Sequence, residues 1–276
     1  LHGIPVIYSP SIDWVLSGKG SGFLAPSFQS YSDDASTKKG YSINIPNSLN
    51  IAPDKDILFS TSFLSTRGEN LTAKYRQLIY ENLLWDKGRL ETEMNYLNKD
   101  ALTLEDRWLL DNEINLSLNK DTDIKLVNKR VSDKDYYKEI ALEGVTRERL
   151  ISSFSLNNQN NLFNAKIYTE AEQVLNSATS DYTKNLEINI SKLMDIDSGV
   201  KLNLLNSYTD FNHKSASSTG VRNHLNLSAS KSFQDNVYEF KPTFSLLNTK
   251  YDIENSASIN RLLYSAEIDS KLFFER

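Results

Sequence analysis

The sequence predicts an all-β fold in which antiparallel strands form the wall of a transmembrane β-barrel. Apolar and polar residues alternate with period two along most of the chain, as in strands with one apolar and one polar face. Short connections rich in Asn, Asp, Gly and Pro alternate with longer connections, and many aromatic residues stand near strand ends. These three observations predict an outer-membrane barrel, of which about 14 strands are present.

The predicted strands follow one another from residue 22 to residue 274. Their approximate spans are 22–31, 40–50, 56–65, 70–80, 88–97, 107–118, 123–131, 150–157, 162–174, 182–193, 199–210, 222–232, 237–248 and 260–274. A short strand at Ile4 to Tyr8 precedes them and ends at Pro10. The weakly patterned segment 133–149 could hold a short helical turn in a loop.

The alternation is clearest near the end of the chain. One face of the last strand carries Leu262, Tyr264, Ala266, Ile268 and Leu272, and the other carries Ser265, Glu267, Asp269 and Lys271. The same division predicts a set of charged residues that face the lumen of the barrel: Glu91, Glu93, Asp111, Glu113, Glu187, Glu267, Asp269 and Lys271. A Lys or Arg that faces lipid at mid-depth costs roughly 2–4 kcal/mol, so strands sorted in this way avoid that cost.

The composition is compatible with both a soluble globule and a membrane barrel. Of 276 residues, 39% are hydrophobic and 24% charged, and the mean hydropathy is -0.47. No apolar run reaches the roughly 18 residues of a membrane helix, but barrel strands face lipid only at every second residue. A formal net charge of -5 with dispersed basic residues argues against a nucleic-acid binder. The lack of cysteine excludes disulfides and thiol catalysis within this chain.

Paired carboxylates, such as Glu91 with Glu93 or Glu267 with Asp269, allow two interpretations. Two residues apart on a strand, each pair shares a face and could act as general acid and base or hold a divalent cation. No nucleophile, Gly-rich phosphate loop or zinc signature accompanies them, so solvated lumen residues are the favoured interpretation. We therefore expect no enzymatic activity, no cofactor and no metal site.

Two prolines distinguish the opening strands. Pro26 lies in the first predicted strand and Pro46 in the second. Proline cannot donate a hydrogen bond to a sheet ladder. Two neighbouring strands that each carry a proline therefore predict a seam where strand pairing is weak.

A series of short motifs also runs through the chain in order. They are Ile4-Pro5-Val6-Ile7-Tyr8-Ser9-Pro10, Ser21-Gly22-Phe23-Leu24-Ala25-Pro26-Ser27-Phe28, Asn50-Ile51-Ala52-Pro53-Asp54-Lys55-Asp56, Ser65-Thr66-Arg67-Gly68, Tyr75-Arg76, Val131-Ser132-Asp133 with Tyr136, and Leu272-Phe273-Phe274-Glu275-Arg276. In this order and spacing, they resemble the start of the barrel in the LptD family of outer-membrane lipopolysaccharide-assembly proteins.

The resemblance implies a division of the chain. Residues 1–18 would be the end of a periplasmic β-jelly roll and its connection, with the junction at Ile4, Pro5, Tyr8 and Pro10. Residues 19–276 would be the N-terminal part of the transmembrane barrel, with Pro26, Pro46 and Phe28 at a lateral gate. No signal peptide stands at Leu1 although export requires one, so we expect an internal piece of a longer protein.

The resemblance also implies a function without covalent chemistry. Lipopolysaccharide would arrive from the periplasmic jelly roll, its lipid A would leave through a lateral seam, and its saccharide would pass through the lumen. The implied partners are lipopolysaccharide, the plugging lipoprotein LptE, the periplasmic bridge protein LptA and the barrel-assembly machinery. The implied location is the outer membrane of a Gram-negative bacterium, with the N-terminal end in the periplasm.

Two other functions are compatible with the residues. A passive porin would show the same alternation, but it would not need a proline in both opening strands. A secreted all-β binding module with a soluble core would also be rich in strands.

Overall fold

A computed structural model describes residues 20–33, 38–142, 147–175, 182–196, 198–213 and 219–273. These residues form one large antiparallel sheet. The predicted strand at Ile4 to Tyr8 and the junction residues Ile4, Pro5, Tyr8 and Pro10 lie outside the described ranges, so the jelly-roll assignment stays a prediction.

Sixteen strands make up this sheet within the described residues. They are β1 (Gly22–Phe23), β2 (Ser27–Asp33), β3 (Lys38–Ala52), β4 (Lys55–Leu64), β5 (Gly68–Ile79), β6 (Lys87–Leu97), β7 (Arg107–Asn119), β8 (Thr122–Val131), β9 (Arg149–Gln159), β10 (Asn164–Val174), β11 (Thr183–Ile196), β12 (Val200–Asn212), β13 (Gly220–Lys231), β14 (Phe233–Gln234), β15 (Tyr238–Ile253) and β16 (Ile259–Leu272). A single helical turn, α1 (Tyr136–Glu139), lies between β8 and β9, which confirms the helical turn expected within 133–149.

Each long strand pairs antiparallel with its neighbours in the chain, and β1 and β2 both pair with β3. All 14 predicted strands are present. The higher count arises because the first predicted strand is divided into β1 and β2, and because the two-residue β14 pairs beside β15. The all-β antiparallel fold class is therefore confirmed. None of the helical structure in the described residues has the length and hydropathy that a bilayer-crossing helix requires.

The two faces of the sheet differ in chemistry, because residues paired across strands point to the same side. Glu93 is paired with Asp111 and Asp111 with Lys129, so charged residues share one face. The adjacent residues Met94 and Leu110 are paired on the opposite face, where the Met94 side chain is 57% exposed. We call the charged side the inner face and the apolar side the outer face.

The buried apolar core lies at the end of the sheet that carries the longer connections. Its members are Leu64, Leu97, Leu109, Val131, Tyr136, Tyr137, Ile140, Leu150 and Leu175. Leu97 and Leu109 share the face of Glu93 and Asp111, so α1 and its two tyrosines pack against the inner face. The helical turn therefore covers part of the inner face at this end.

The sheet has two edges. β1 and β2 form one edge and β16 forms the other, and no ladder within the described ranges joins them. Every residue of β16 is exposed, although the strand pairs with β15 along its whole length. An edge strand presents unpaired backbone groups that can accept a further strand.

Candidate functional site

The pairing between the first strand and β3 is interrupted. β1 ends with Phe23 opposite Asn47, and β2 begins with Ser27 opposite Asn44. Three residues of the first strand therefore face two residues of β3. One extra residue on one strand is a β-bulge, which bends the strand and disrupts the ladder locally.

Pro46 removes one bond from this same interruption. The Leu24 N–H donates to the Pro46 carbonyl at 2.9 Å. In an antiparallel ladder such a pair exchanges two bonds, but Pro46 has no N–H to return to the Leu24 carbonyl. On its other side Pro46 is paired with Ser60, within a run of β3–β4 pairs that continues from Ser42 to Asn50. The missing donor therefore weakens only the contact with the first strand.

Pro26 lies in the gap between β1 and β2, so it ends the interruption rather than sitting inside a strand. Phe28 follows in β2 with its side chain 69% exposed, stacked on Tyr41 with 6.0 Å between ring centroids. It is paired with Ile43, on the outer face. The three predicted gate residues are thus close to one interrupted ladder at the sheet edge.

A polar cavity of about 190 Å³ lies behind this ladder on the inner face. It is lined by Ser27, Gln29, Ser42, Asn44, Ser62, Leu64, Ile140, Ala141 and Leu142. The segment after α1 therefore reaches the inner side of the first strands. Tyr31 of β2 adds a hydrogen bond of 2.8 Å between its hydroxyl and the Thr66 hydroxyl in the β4–β5 turn.

Five of the predicted lumen residues form a charged band on the inner face. Glu91 is paired with Glu113 and Glu93 with Asp111. Lysines from the flanking strands balance these carboxylates, with Lys74 3.6 Å from Glu93, Lys129 2.9 Å from Asp111 and Lys125 2.8 Å from Glu113. Farther along the sheet, Glu187 is buried between Lys166 and Lys184.

The other three predicted lumen residues lie on the edge strand. Glu267, Asp269 and Lys271 are paired with Thr243, Lys241 and Glu239 of β15, and the Lys271 Nζ is 3.1 Å from a Glu239 carboxylate oxygen. All three are exposed because β16 has a neighbour on one side only. No group of three His, Asp or Glu residues in the described ranges is arranged to hold a metal ion.

Sequence reasoning missed a buried charge network at the α1 end of the sheet. Arg67 is 1% exposed, and its Nη1 lies 2.6 Å from Asp100 Oδ2, while its Nη2 lies 3.0 Å from Glu139 Oε2. Arg107 Nη1 contacts the same two carboxylates at 3.1 and 2.9 Å, and its Nε donates to Asp133 at 2.6 Å. Two arginines thus join three connections that are far apart in the sequence.

Part of this network was visible in the sequence as short motifs without a structural reason. Arg67 belongs to Ser65-Thr66-Arg67-Gly68, and Asp133 and Tyr136 belong to the motif that begins at Val131. Tyr136 is fully buried beside the network, and this burial raises the pKa of its phenol. The separate motifs converge on one buried cluster.

A wall with one charged and one apolar face, made of long antiparallel strands, defines the class of outer-membrane β-barrel proteins. A family model for LptD, described as LPS transport system D, matches residues 105–276, which is more than half of the chain. The chain therefore belongs to the LptD family, whose members are outer-membrane proteins of Gram-negative bacteria. The family's description names transport, which confirms the prediction that the chain is not an enzyme.

Individual relatives extend the match to the whole chain. The LPS-assembly protein LptD of Idiomarina loihiensis is 25% identical over 287 residues, which cover 100% of this chain and 36% of that protein. The LptD of Shewanella frigidimarina is 28% identical over 292 residues, with 100% and 37% covered. The LptD of Ralstonia nicotianae is 26% identical over 288 residues, with 99% and 34% covered. The chain thus spans about a third of the length of these relatives.

Proposed function

We propose that this chain is the N-terminal part of the barrel of a translocon that inserts lipopolysaccharide into the outer leaflet of the outer membrane. In this proposal residues 1–18 end a periplasmic jelly roll and residues 19–276 form barrel wall. The observation that carries it is the interrupted first ladder at the sheet edge, because transport of a lipid into a leaflet requires a wall that can part.

The energetics favour opening at this place. A ladder bond contributes only about 0.5–1.5 kcal/mol net in water. In lipid, however, a backbone carbonyl without a donor costs several kcal/mol. The Leu24 carbonyl lacks its donor from Pro46, and the bulge at Pro26 removes further pairing. The work of separating the first strand from β3 is thereby lowered relative to an uninterrupted ladder.

The two faces of the wall supply separate paths for the two halves of the substrate. Acyl chains would leave through the seam toward the outer face, where Phe28 and Tyr41 are exposed. The saccharide would pass along the charged inner face, where carboxylates such as Glu93 alternate with lysines such as Lys74. The proposed partners are lipopolysaccharide, the lipoprotein LptE as a plug, LptA as a periplasmic bridge and the barrel-assembly machinery.

The connections support an orientation. The β3–β4 and β7–β8 connections are two-residue turns, whereas the β6–β7 and β8–β9 connections at the opposite end are long. Outer-membrane barrels have short periplasmic turns and longer external loops. β1 begins at the short-turn end, since Gly22 is paired with Ser48 near the β3–β4 turn. The N-terminal end would therefore be periplasmic.

The test replaces both prolines, Pro26→Ala and Pro46→Ala, in the full-length protein. Pro46→Ala restores the donor to the Leu24 carbonyl, so the barrel should fold, resist heat somewhat better and deliver lipopolysaccharide to the cell surface more slowly. Slower delivery is measured as surface lipopolysaccharide and as greater sensitivity to large hydrophobic antibiotics, and folding is measured as heat-modifiable migration.

The matched control is Pro242→Ala. This proline also lies within a long strand, paired with Ile268, but far from the first ladder. Normal delivery by the double variant would refute the seam. Ion conductance that does not follow lipopolysaccharide delivery would favour a passive porin instead.

A further inference from the structure

The wall contains a second interruption, between β8 and β9. Their ladder ends with Val127 opposite Ser153, although β8 continues to Val131 and β9 begins at Arg149. Over these last residues the two strands separate. We call this place the β8–β9 wedge.

Side chains bridge the wedge in place of a ladder. The Ser152 hydroxyl accepts from the Lys129 N–H at 3.1 Å and lies 3.2 Å from Asn128 Oδ1. The Gln173 amide donates to the Val131 carbonyl at 2.7 Å and accepts from the Val131 N–H at 3.0 Å. The backbone of β8 is thereby satisfied, but the surface beside it stays open.

The opening faces outward. A cavity of about 330 Å³ lies at the wedge and is lined by Leu126, Val127, Asn128, Ser152, Ser153, Phe154, Thr169, Glu170 and Ala171. Leu126 is paired with Phe154, and Leu126 is also paired with Ile114 of the outer face. Six of the nine lining residues lie in two rows that share this face, and the other three alternate with them. The volume is within the range of small-molecule pockets, roughly 300–1,000 Å³.

One end of this cavity carries hydrogen-bond donors. Arg130 is paired with Leu110 of the outer face and is exposed, and within the described ranges its guanidinium has no ion pair. Asn128 accepts a hydrogen bond through Oδ1, which leaves its amide N–H groups available among the described residues. A guanidinium beside an amide donor suits phosphate and hydroxyl oxygens.

The other end of the cavity is apolar. Leu126, Phe154 and Ala171 lie farther from the loop end than Arg130 or beside the open strand edge. Arg130 stands one residue before β8 ends, at the end with the long connections. With the proposed orientation this is the depth of the outer-leaflet headgroups.

We infer that the β8–β9 wedge is a binding site on the outer wall for a phosphate-bearing glycolipid of the outer leaflet. The phosphate would contact Arg130, a saccharide oxygen would accept from Asn128, and an acyl chain would lie along Leu126 and Phe154. This inference rests on the proposed function only for the orientation that brings the wedge to the outer leaflet. The site would hold the glycolipid against the wall rather than transport it.

The test measures lipid affinity of the purified full-length protein by native mass spectrometry. The probes are lipid A with both phosphates, the same lipid A without phosphates, and phosphatidylglycerol. Arg130→Gln should weaken binding of phosphorylated lipid A about tenfold, the effect of one lost charge-assisted contact. Lys192→Gln is the matched control, because Lys192 is an outer-face cation at the opposite end of the wall, paired with Leu204. Its affinity should equal that of the unchanged protein.

A second measurement locates the site without removing a charge. A benzophenone amino acid at Phe154 should crosslink to phosphorylated lipid A, and one at Ile188, on the outer face away from the wedge, should crosslink much less. Equal affinities of the Arg130→Gln protein and the unchanged protein would overturn the proposal. So would phosphatidylglycerol binding with the same dependence on Arg130, which would indicate a phospholipid site. Failure of the seam would appear separately, as normal delivery by the proline variants.

Discussion

Replacing Arg67 by methionine should release α1 from the inner face while the strands stay paired. Removing one partner of a buried ion pair costs about 3–5 kcal/mol, because the other charge is left in a poorly solvated place. Arg107 still contacts both Asp100 and Glu139, so the lower end applies, about 3 kcal/mol. A change of this size multiplies the population of the open form by roughly a hundredfold.

Hydrogen exchange of the α1 amides in the full-length protein measures this opening. The Glu139 N–H donates to the Asp135 carbonyl at 2.9 Å and the Ile140 N–H to the Tyr136 carbonyl at 2.8 Å. Both amides should exchange about a hundredfold faster in the Arg67→Met protein.

The control is Arg76→Met, which also removes an arginine from a carboxylate. Its Nη2 lies 2.8 Å from Asp56, but the Arg76 side chain is 47% exposed. An exposed pair contributes about 0–1 kcal/mol, and it lies at the other end of the wall, so α1 exchange should not change. Unchanged exchange in the Arg67→Met protein would refute the reasoning and leave the apolar core as the element that holds α1.

Two further predictions concern the wall and one of its loops. Single cysteines at Ile190 and Asn189 of the full-length protein should differ in reaction with a membrane-impermeant thiol reagent, with labelling only at position 189, because Ile190 faces outward; equal labelling would contradict the assigned faces. In the β6–β7 loop, hydrogen bonds from the Lys99 N–H and the Tyr96 hydroxyl hold the pKa of Asp106 below its ordinary value of about 3.9, so its contribution to loop stability is present above that pH and is lost as the pH falls through the lower, folded-state pKa. Asp106→Asn should therefore remove the acid dependence of proteolysis within 98–106, and an unchanged dependence would mean that another group titrates there.

The long strands could be predicted from the sequence because period two is written into each of them. The charged set and the apolar set, for example Glu187 and Ile188, fall on opposite faces wherever the strand is regular. This local signal needs no knowledge of neighbouring strands, which explains why all 14 predicted segments are found in the sheet.

The buried network could not be predicted in this way. Arg67, Asp100 and Glu139 lie in three different connections, and only the curvature of the intervening strands brings them together. The β8–β9 wedge was equally hidden, because Asn128 and Ser152 continue an ordinary strand pattern while their backbones separate. Contacts that depend on the path of several strands leave no periodic trace in the sequence.

The bulge in the first strand also sets the phase of its alternation. Phe23 and Phe28 are five residues apart, so in a uniform strand they would point to opposite sides. Their partners Asn47 and Ile43 are four apart, and both phenylalanines therefore face outward. A deletion of one residue between them would turn Phe28 inward and Gln29 toward lipid without removing any side chain that makes a contact. The length of this segment is thus subject to a parity rule, in which only changes by two residues keep both halves of the strand correctly oriented.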